Sequence, residues 1–316
     1  MAKLKVEGSF VALITPFNRD GSVDFEGFRT LIDFQAANGT SALLIMGSTG
    51  EVSMLSNEER QKIMTETVKH RKGELLLFYG CTGTNTKDTI EKVRYAAKEG
   101  ADGAIVTVPA YICPPVEDAV QYFLEVADAG DIPIGIYNNP GRVGTDLPAE
   151  AIIRLADHPN IVVDKEAMAR PGQIAKIAAA GKDISLMCCD SPNLGLVMPV
   201  MSLGGQGTAN MTGNIAPGEM AIISKPWQSF EDARNCRQTY LKLLPLLEFH
   251  YCLVNPVPVK SLAKALGLPA GELRGPYRNI EGDALKSGLE IVKALGFVEK
   301  YYFEAMGTVM NKCISS

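Results

Sequence analysis

Asn160-Ile161-Val162-Val163-Asp164-Lys165-Glu166-Ala167-Met168 joins a short β-branched run to three consecutive charges. Fully buried strands read as continuous apolar runs, so Ile161–Val163 is expected inside a sheet, with the charges beginning where the strand runs out. Side chains alternate along a strand. If Lys165 faces the inner side, Asp164 and Glu166 face the other. An amine at the mouth of an apolar strand loses hydration, which lowers its pKa from the ordinary ~10.4 and lets it attack a ketone to form a Schiff base. On this segment alone an ordinary loop lysine is the simpler reading, and the rest of the chain has to decide between the two.

Outward from that segment, strand-like and helix-like stretches alternate from Gly8 to about Ser224. The strands are expected at Phe10–Thr15, Ala42–Met46, Leu75–Tyr79, Ala104–Val108, Ile132–Tyr137, Ile161–Val163, Ile184–Cys188 and, more weakly, the Gly-rich Gly205–Met211. Asp24 predicts a helix cap, Asn38-Gly39 a helix stop, and Ser56-Asn57-Glu58-Glu59 a capping box. Leu194–Leu203 reads as one helix. Eight such repeats predict an α/β fold, a parallel (β/α)₈ TIM barrel, over residues 1–224. A doubly wound open sheet is the alternative. After Pro217 the pattern turns helical (Glu231–Phe249, Pro258–Gly267, Glu281–Leu295), which predicts a C-terminal helical extension over residues 225–316 packed on the barrel.

The bulk properties narrow the classes of function. The chain has 316 residues, 46% hydrophobic and 21% charged, an ordinary globular composition. A net charge of -5, a pI near 5.4 and the lack of a Lys/Arg-rich run argue against nucleic acid as a partner. Met1–Gly8 lacks the apolar core of a signal peptide, and the longest apolar stretch, Leu194–Leu203, is too short to span a bilayer; no membrane association and a cytoplasmic location are expected. Seven cysteines, at 81, 113, 188, 189, 236, 252 and 313, form no C-x-x-C pair, and the three histidines, at 70, 158 and 250, are far apart. Neither a disulfide framework, a metal site nor a histidine triad is expected.

Barrel enzymes keep their chemistry at the C-terminal ends of the strands. Those ends supply Thr15, Ser48, Thr49, Tyr111, Tyr137, Arg142, Lys165, Cys189 and the Gly205–Asn210 loop. Hydroxyls, one lysine and one arginine suit imine chemistry on a keto acid: the amine attacks, hydroxyls relay protons, and free N–H groups hold a carboxylate. Each residue also has a plainer role. Gly47-Ser48-Thr49-Gly50 could be only a turn, Tyr137 a core residue, Tyr111 a packing anchor and Arg142 a solvated charge. No P-loop or dinucleotide fingerprint is present.

Four motifs, in order along nearly the whole chain, resemble the dihydrodipicolinate synthase / N-acetylneuraminate lyase family of Schiff-base (β/α)₈ enzymes. They are Gly47-Ser48-Thr49-Gly50-Glu51, Tyr137-Asn138-Asn139-Pro140-Gly141-Arg142-Val143-Gly144, Lys165-Glu166-Ala167 and Asn255-Pro256-Val257-Pro258-Val259-Lys260. The resemblance implies that Lys165 forms the Schiff base with pyruvate, with no separate cofactor. It implies that Thr49 and the Ser48 and Thr49 N–H groups hold the pyruvate carboxylate, and that Tyr137, Ser48 and Tyr111 relay protons. Tyr111 would cross a tight dimer interface, within a homodimer or homotetramer. Arg142 would grip the carboxylate of the second substrate. The reaction implied first is condensation of pyruvate with aspartate semialdehyde, a step of lysine biosynthesis.

Departures from the family pattern bear on the substrate. Ser48 stands where synthases usually carry threonine, Cys189 where they carry glycine, and Ala209 replaces a larger aliphatic residue beside the pyruvate methyl. Asp164 is unusual before the lysine. Ala110, Asn57 and Arg60 differ from the usual lysine feedback pocket, so weak or absent inhibition by lysine is expected. The alternatives are a related lyase or dehydratase acting on another 2-keto-3-deoxy acid and, more distantly, a barrel that binds a metabolite without turning it over.

Overall fold

The computed structural model describes residues 3–302; Cys313 and the end of the expected extension lie outside them. Eight parallel strands close into a barrel in sequence order: β1 Gly8–Ala12, β2 Ala42–Ile45, β3 Leu76–Gly80, β4 Gly103–Val106, β5 Ile134–Asn138, β6 Ile161–Glu166, β7 Ser185–Cys188 and β8 Gly207–Asn210. The barrel, and not the open sheet, is therefore the architecture. The helices are α1 Phe25–Ala37, α2 Asn57–Lys69, α3 Thr86–Glu99, α4 Val116–Ala129, the short α5 Pro140–Val143, α6 Ala149–Leu155, α7 Pro171–Ala179, α8 Val197–Ser202, α9 Pro217–Ser224, α10 Phe230–His250, α11 Val257–Ala265 and α12 Gly282–Ala294.

Local chemistry sets the helix ends. Asp24 accepts from the Gly27 N–H at the start of α1, and Ser56 and Glu59 form the reciprocal capping box of α2. Leu194–Leu203 is not one helix. Gly195 takes a left-handed φ of 62° and ends a 3₁₀ turn at Pro192–Leu194 before α8 begins.

Two apolar layers hold the barrel. Phe10, Leu44, Phe78, Ile105, Val163 and Met187 fill its interior, while a larger layer, including Ile136, Ile152, Ile174 and Leu186, seals the strands against the helices. Strand β6 is longer than its apolar run. Asp164, Lys165 and Glu166 all lie within it, and all are buried. The charges thus do not mark the strand's end; the closed barrel continues the hydrogen-bond ladder through them, a tertiary constraint that local hydrophobicity does not report. Register also matters here. Ile134 pairs with Ile161 but Gly135 with Val163, so Val162 is skipped, and the shift aligns Tyr137 with Lys165.

Candidate active site

Lys165 and Tyr137 meet inside the barrel at the C-terminal ends of β6 and β5. The Lys165 ammonium lies 4.1 Å from the Tyr137 ring centroid, and the lysine is only 4% exposed. Alternation sends Asp164 and Glu166 outward, as expected from the sequence. Glu166 accepts from Asn138 Nδ2 at 3.0 Å and from Gln173 Nε2, on α7, at 3.2 Å. Asp164 stands in register between Ile136 and Leu186 of the outer apolar layer, and neither carboxylate oxygen has a hydrogen-bond partner among the described residues.

Electrostatics follow from this burial. The Asp164 carboxyl is pushed well above the ordinary range by burial and then by Glu166. Glu166 is pushed up to about 7, mainly by burial, against the hydrogen bonds from Asn138 and Gln173. Burial also drives the Tyr137 phenol far above its usual range. That phenol is a neutral O–H at physiological pH. Its oxygen accepts from Asn139 Nδ2 at 2.7 Å and, more weakly, from Cys189 Sγ at 3.8 Å, which leaves its own proton free to donate.

Cys189 and Ala209 share the interior cluster with Tyr137, so these expected residues converge with Lys165. Cys189 itself is a neutral thiol, raised by burial. Ser48 and Thr49 occupy the turn after β2, and Glu51 N–H closes that turn on Ser48 C=O at 3.2 Å. Thr49 is buried, and its hydroxyl oxygen accepts from Asn255 Nδ2 at 3.0 Å. Arg142, on α5, is exposed and donates to the Asn255 carbonyl at 3.0 Å. One residue of the C-terminal extension therefore bridges the Thr49 and Arg142 positions. Tyr111 stands apart. It follows β4 with a positive φ of 81° and is 98% exposed.

Three residues expected near the mouth lie elsewhere or serve another role. Thr15 is buried and donates to the Gly50 carbonyl at 2.6 Å, bracing the loop after β2. Gly205 and Gln206 precede β8, so they sit at the opposite, N-terminal end of the barrel, where Gln206 C=O accepts from Gly8 N–H. Other neighbours were not singled out from sequence: Asn139, Asn255, Asp190 and Tyr251. Tyr251, beyond α10, donates to Asp190 Oδ1 at 2.6 Å, while the Thr212 N–H donates to Oδ2 at 3.0 Å. Sequence offered a signal for two of them: Asn139 and Asn255 both lie within the family-like motifs.

Among the described residues no group of three or more His, Cys, Asp or Glu side chains is placed to hold a metal ion. No helix there is long and apolar enough to cross a membrane.

Comparison with known proteins agrees with this geometry. The model of the dihydrodipicolinate synthetase family matches residues 5–295. A 4-hydroxy-tetrahydrodipicolinate synthase of Syntrophotalea carbinolica is 37% identical over 295 residues, covering 92% of this chain and 99% of the relative. The crystal structure of dihydrodipicolinate synthase from Aquifex aeolicus superposes with a TM-score of 0.86 at 32% identity, covering 92% of this chain and 99% of that one. The enzyme from Cyanidioschyzon merolae, solved with lysine bound, gives a TM-score of 0.87 at 30% identity over 92% of this chain and 98% of that one.

Proposed function

The chain belongs to the dihydrodipicolinate synthetase family, and from that premise we propose that it is a pyruvate-dependent Schiff-base lyase that condenses pyruvate with aspartate semialdehyde. The observation that carries this reading is the buried Lys165 amine set against a neutral Tyr137 phenol. In the neutral form Lys165 attacks the ketone carbon of pyruvate, and the carbinolamine loses water to give the imine. Tyr137 supplies a proton to the departing oxygen, with Ser48 and Tyr111 continuing the relay. Loss of a methyl proton gives the enamine, whose carbon then attacks the aldehyde. No separate cofactor takes part.

Donor geometry supports the two carboxylate roles. The Thr49 oxygen already accepts from Asn255, so its proton is available to the pyruvate carboxylate. Arg142 uses one donor on Asn255 and has others for the second substrate. Tyr111, 98% exposed on a single copy, suits a relay group lent to a neighbouring copy in a homodimer or homotetramer. A second reading, cleavage or dehydration of another 2-keto-3-deoxy acid, draws on Ser48, Cys189 and the Tyr251–Asp190 pair, which add polar groups around the strand ends.

A coupled assay with both substrate types tests the choice. Aspartate semialdehyde with pyruvate is expected to turn over, and Arg142→Ala to raise the KM of the semialdehyde by about tenfold or more while leaving that of pyruvate little changed. Tyr111→Phe is expected to slow turnover without lowering thermal stability. Turnover confined to a 2-keto-3-deoxy acid would favour the second reading.

A further inference from the structure

The Asn255–Lys260 motif has a terminus that the proposed chemistry does not use. Lys260 lies on α11, in the extension, and its ammonium donates to Glu51 Oε1; both side chains are 0% exposed. We infer that Lys260 is a positioning residue: through Glu51 it holds the Ser48–Thr49 turn in the geometry that captures the carboxylate of the first substrate. The inference rests on reading that turn as the pyruvate carboxylate site.

The turn needs such a hold. Met46 and Glu51, one on each side of Gly47–Gly50, both take left-handed conformations, with φ of 57° and 55°. Non-glycine residues adopt that region at a cost of roughly 1–3 kcal/mol each, and only where surrounding contacts over-determine it. At Glu51 those contacts are identifiable. One carboxylate oxygen takes the Lys260 ammonium, the other the Arg274 N–H at 2.9 Å, and the Glu51 N–H closes the turn on Ser48. The carboxylate thus ties the turn to two separate segments of the extension.

Lys260 is itself placed with care for its charge. Its ammonium lies 4.0 Å from the Phe17 ring centroid, and the Arg274 guanidinium lies 4.2 Å from the same centroid. Phe17 N–H donates to the Ala270 carbonyl, and Arg274 also pairs with Glu59, so the assembly continues into α2. Burial pushes Lys260 down to about 8 while Glu51 opposes the shift, so it remains charged at neutral pH. A buried ion pair is weak evidence of stability, since two apolar groups often serve as well. Here it joins residues more than two hundred positions apart beside the Thr49–Asn255 contact. Geometry at the turn is what the pair supplies.

The test compares wild type with Lys260→Met, Glu51→Gln and the double variant Glu51→Gln/Lys260→Met, which removes both charges and keeps a folded comparison if Lys260→Met alone unfolds. Pyruvate is titrated against each full chain, Schiff base is trapped with borohydride, and the adduct at Lys165 is quantified. Half-maximal trapping and the KM of pyruvate are expected to shift to about tenfold higher pyruvate, with kcat within about threefold of wild type. A merely structural role would lower the active fraction and hence kcat, with the pyruvate dependence unmoved. Wild-type half-saturation in a folded variant lacking Lys260 overturns the inference. Failure of wild type itself to trap pyruvate overturns the reading of the site and the inference with it.

Discussion

Asp164 and Glu166 have the same two neighbours in common, the strand backbone and Lys165, yet they face away from the chemistry. Glu166 finds amide donors at Asn138 and Gln173, with Arg170 and Asp146 beyond; Asp164 finds none among the described residues. Both folded-state pKa values are raised. A raised carboxyl contributes stability that is fully present below its unfolded pKa and is lost as pH climbs toward its folded value. For Glu166 that window runs from the ordinary 4.5 up to about 7. Asp164 extends the loss upward from 3.8. Asp164→Asn removes the second dependence at nearly constant shape. Its Tm is expected to match wild type near pH 4 and to exceed it at pH 8. A Tm difference that is independent of pH would show that Asp164 is ionised in the folded protein.

The inward direction of Lys165 was legible because alternation is a property of neighbours in sequence, whereas its choice over an ordinary loop lysine came from the four motifs taken together. The partners that shape its surroundings are not. Asn255 reaches Thr49 across 206 positions, and Tyr251 reaches Asp190 across 61, so closure of the barrel alone decides those pairs. The hydroxyl and guanidinium types could be named from sequence; the amides that aim them could not.

At the scale of elements, strand count and order followed from hydrophobic periodicity, and caps at Asp24 and Ser56 followed from side-chain chemistry. Ends were less legible. Strand β6 continues through three charges, and the Gly205–Gln206 run precedes β8 at the far end of the barrel. Glycine signals a tight turn without saying at which end of a strand it lies. Gly80, the last residue of β3, has a clear reason to be glycine: a Cβ there would stand 2.1 Å from the Met46 carbonyl oxygen. That obstacle is backbone, and Met46 already holds the left-handed conformation that opens the Ser48–Thr49 turn. Gly80→Ala is expected to cost about 1–3 kcal/mol in urea denaturation and to weaken pyruvate binding as the turn shifts. An unchanged midpoint would mean that the loop after β2 yields freely, against the tethering described above.

On the scale of the whole molecule, the proposed site draws on both barrel and extension. The interior of the barrel supplies Lys165, Tyr137, Cys189 and Ala209; the extension supplies Asn255 to Thr49 and Arg142, and Lys260 to Glu51. The match of the family model to residues 5–295 includes both parts. Helical periodicity after Pro217 predicted the extension but gave no hint that it reaches across the barrel mouth, because amphipathic spacing identifies a buried face and not what covers it.

The central claim is that Lys165 captures pyruvate as a covalent imine. Borohydride reduction in the presence of pyruvate, followed by peptide mapping, tests it on the full chain. The expected result is a single stable adduct on Lys165, absent from a folded Lys165→Ala variant that has also lost turnover. No adduct on folded wild-type protein, or one that survives in Lys165→Ala, would contradict it.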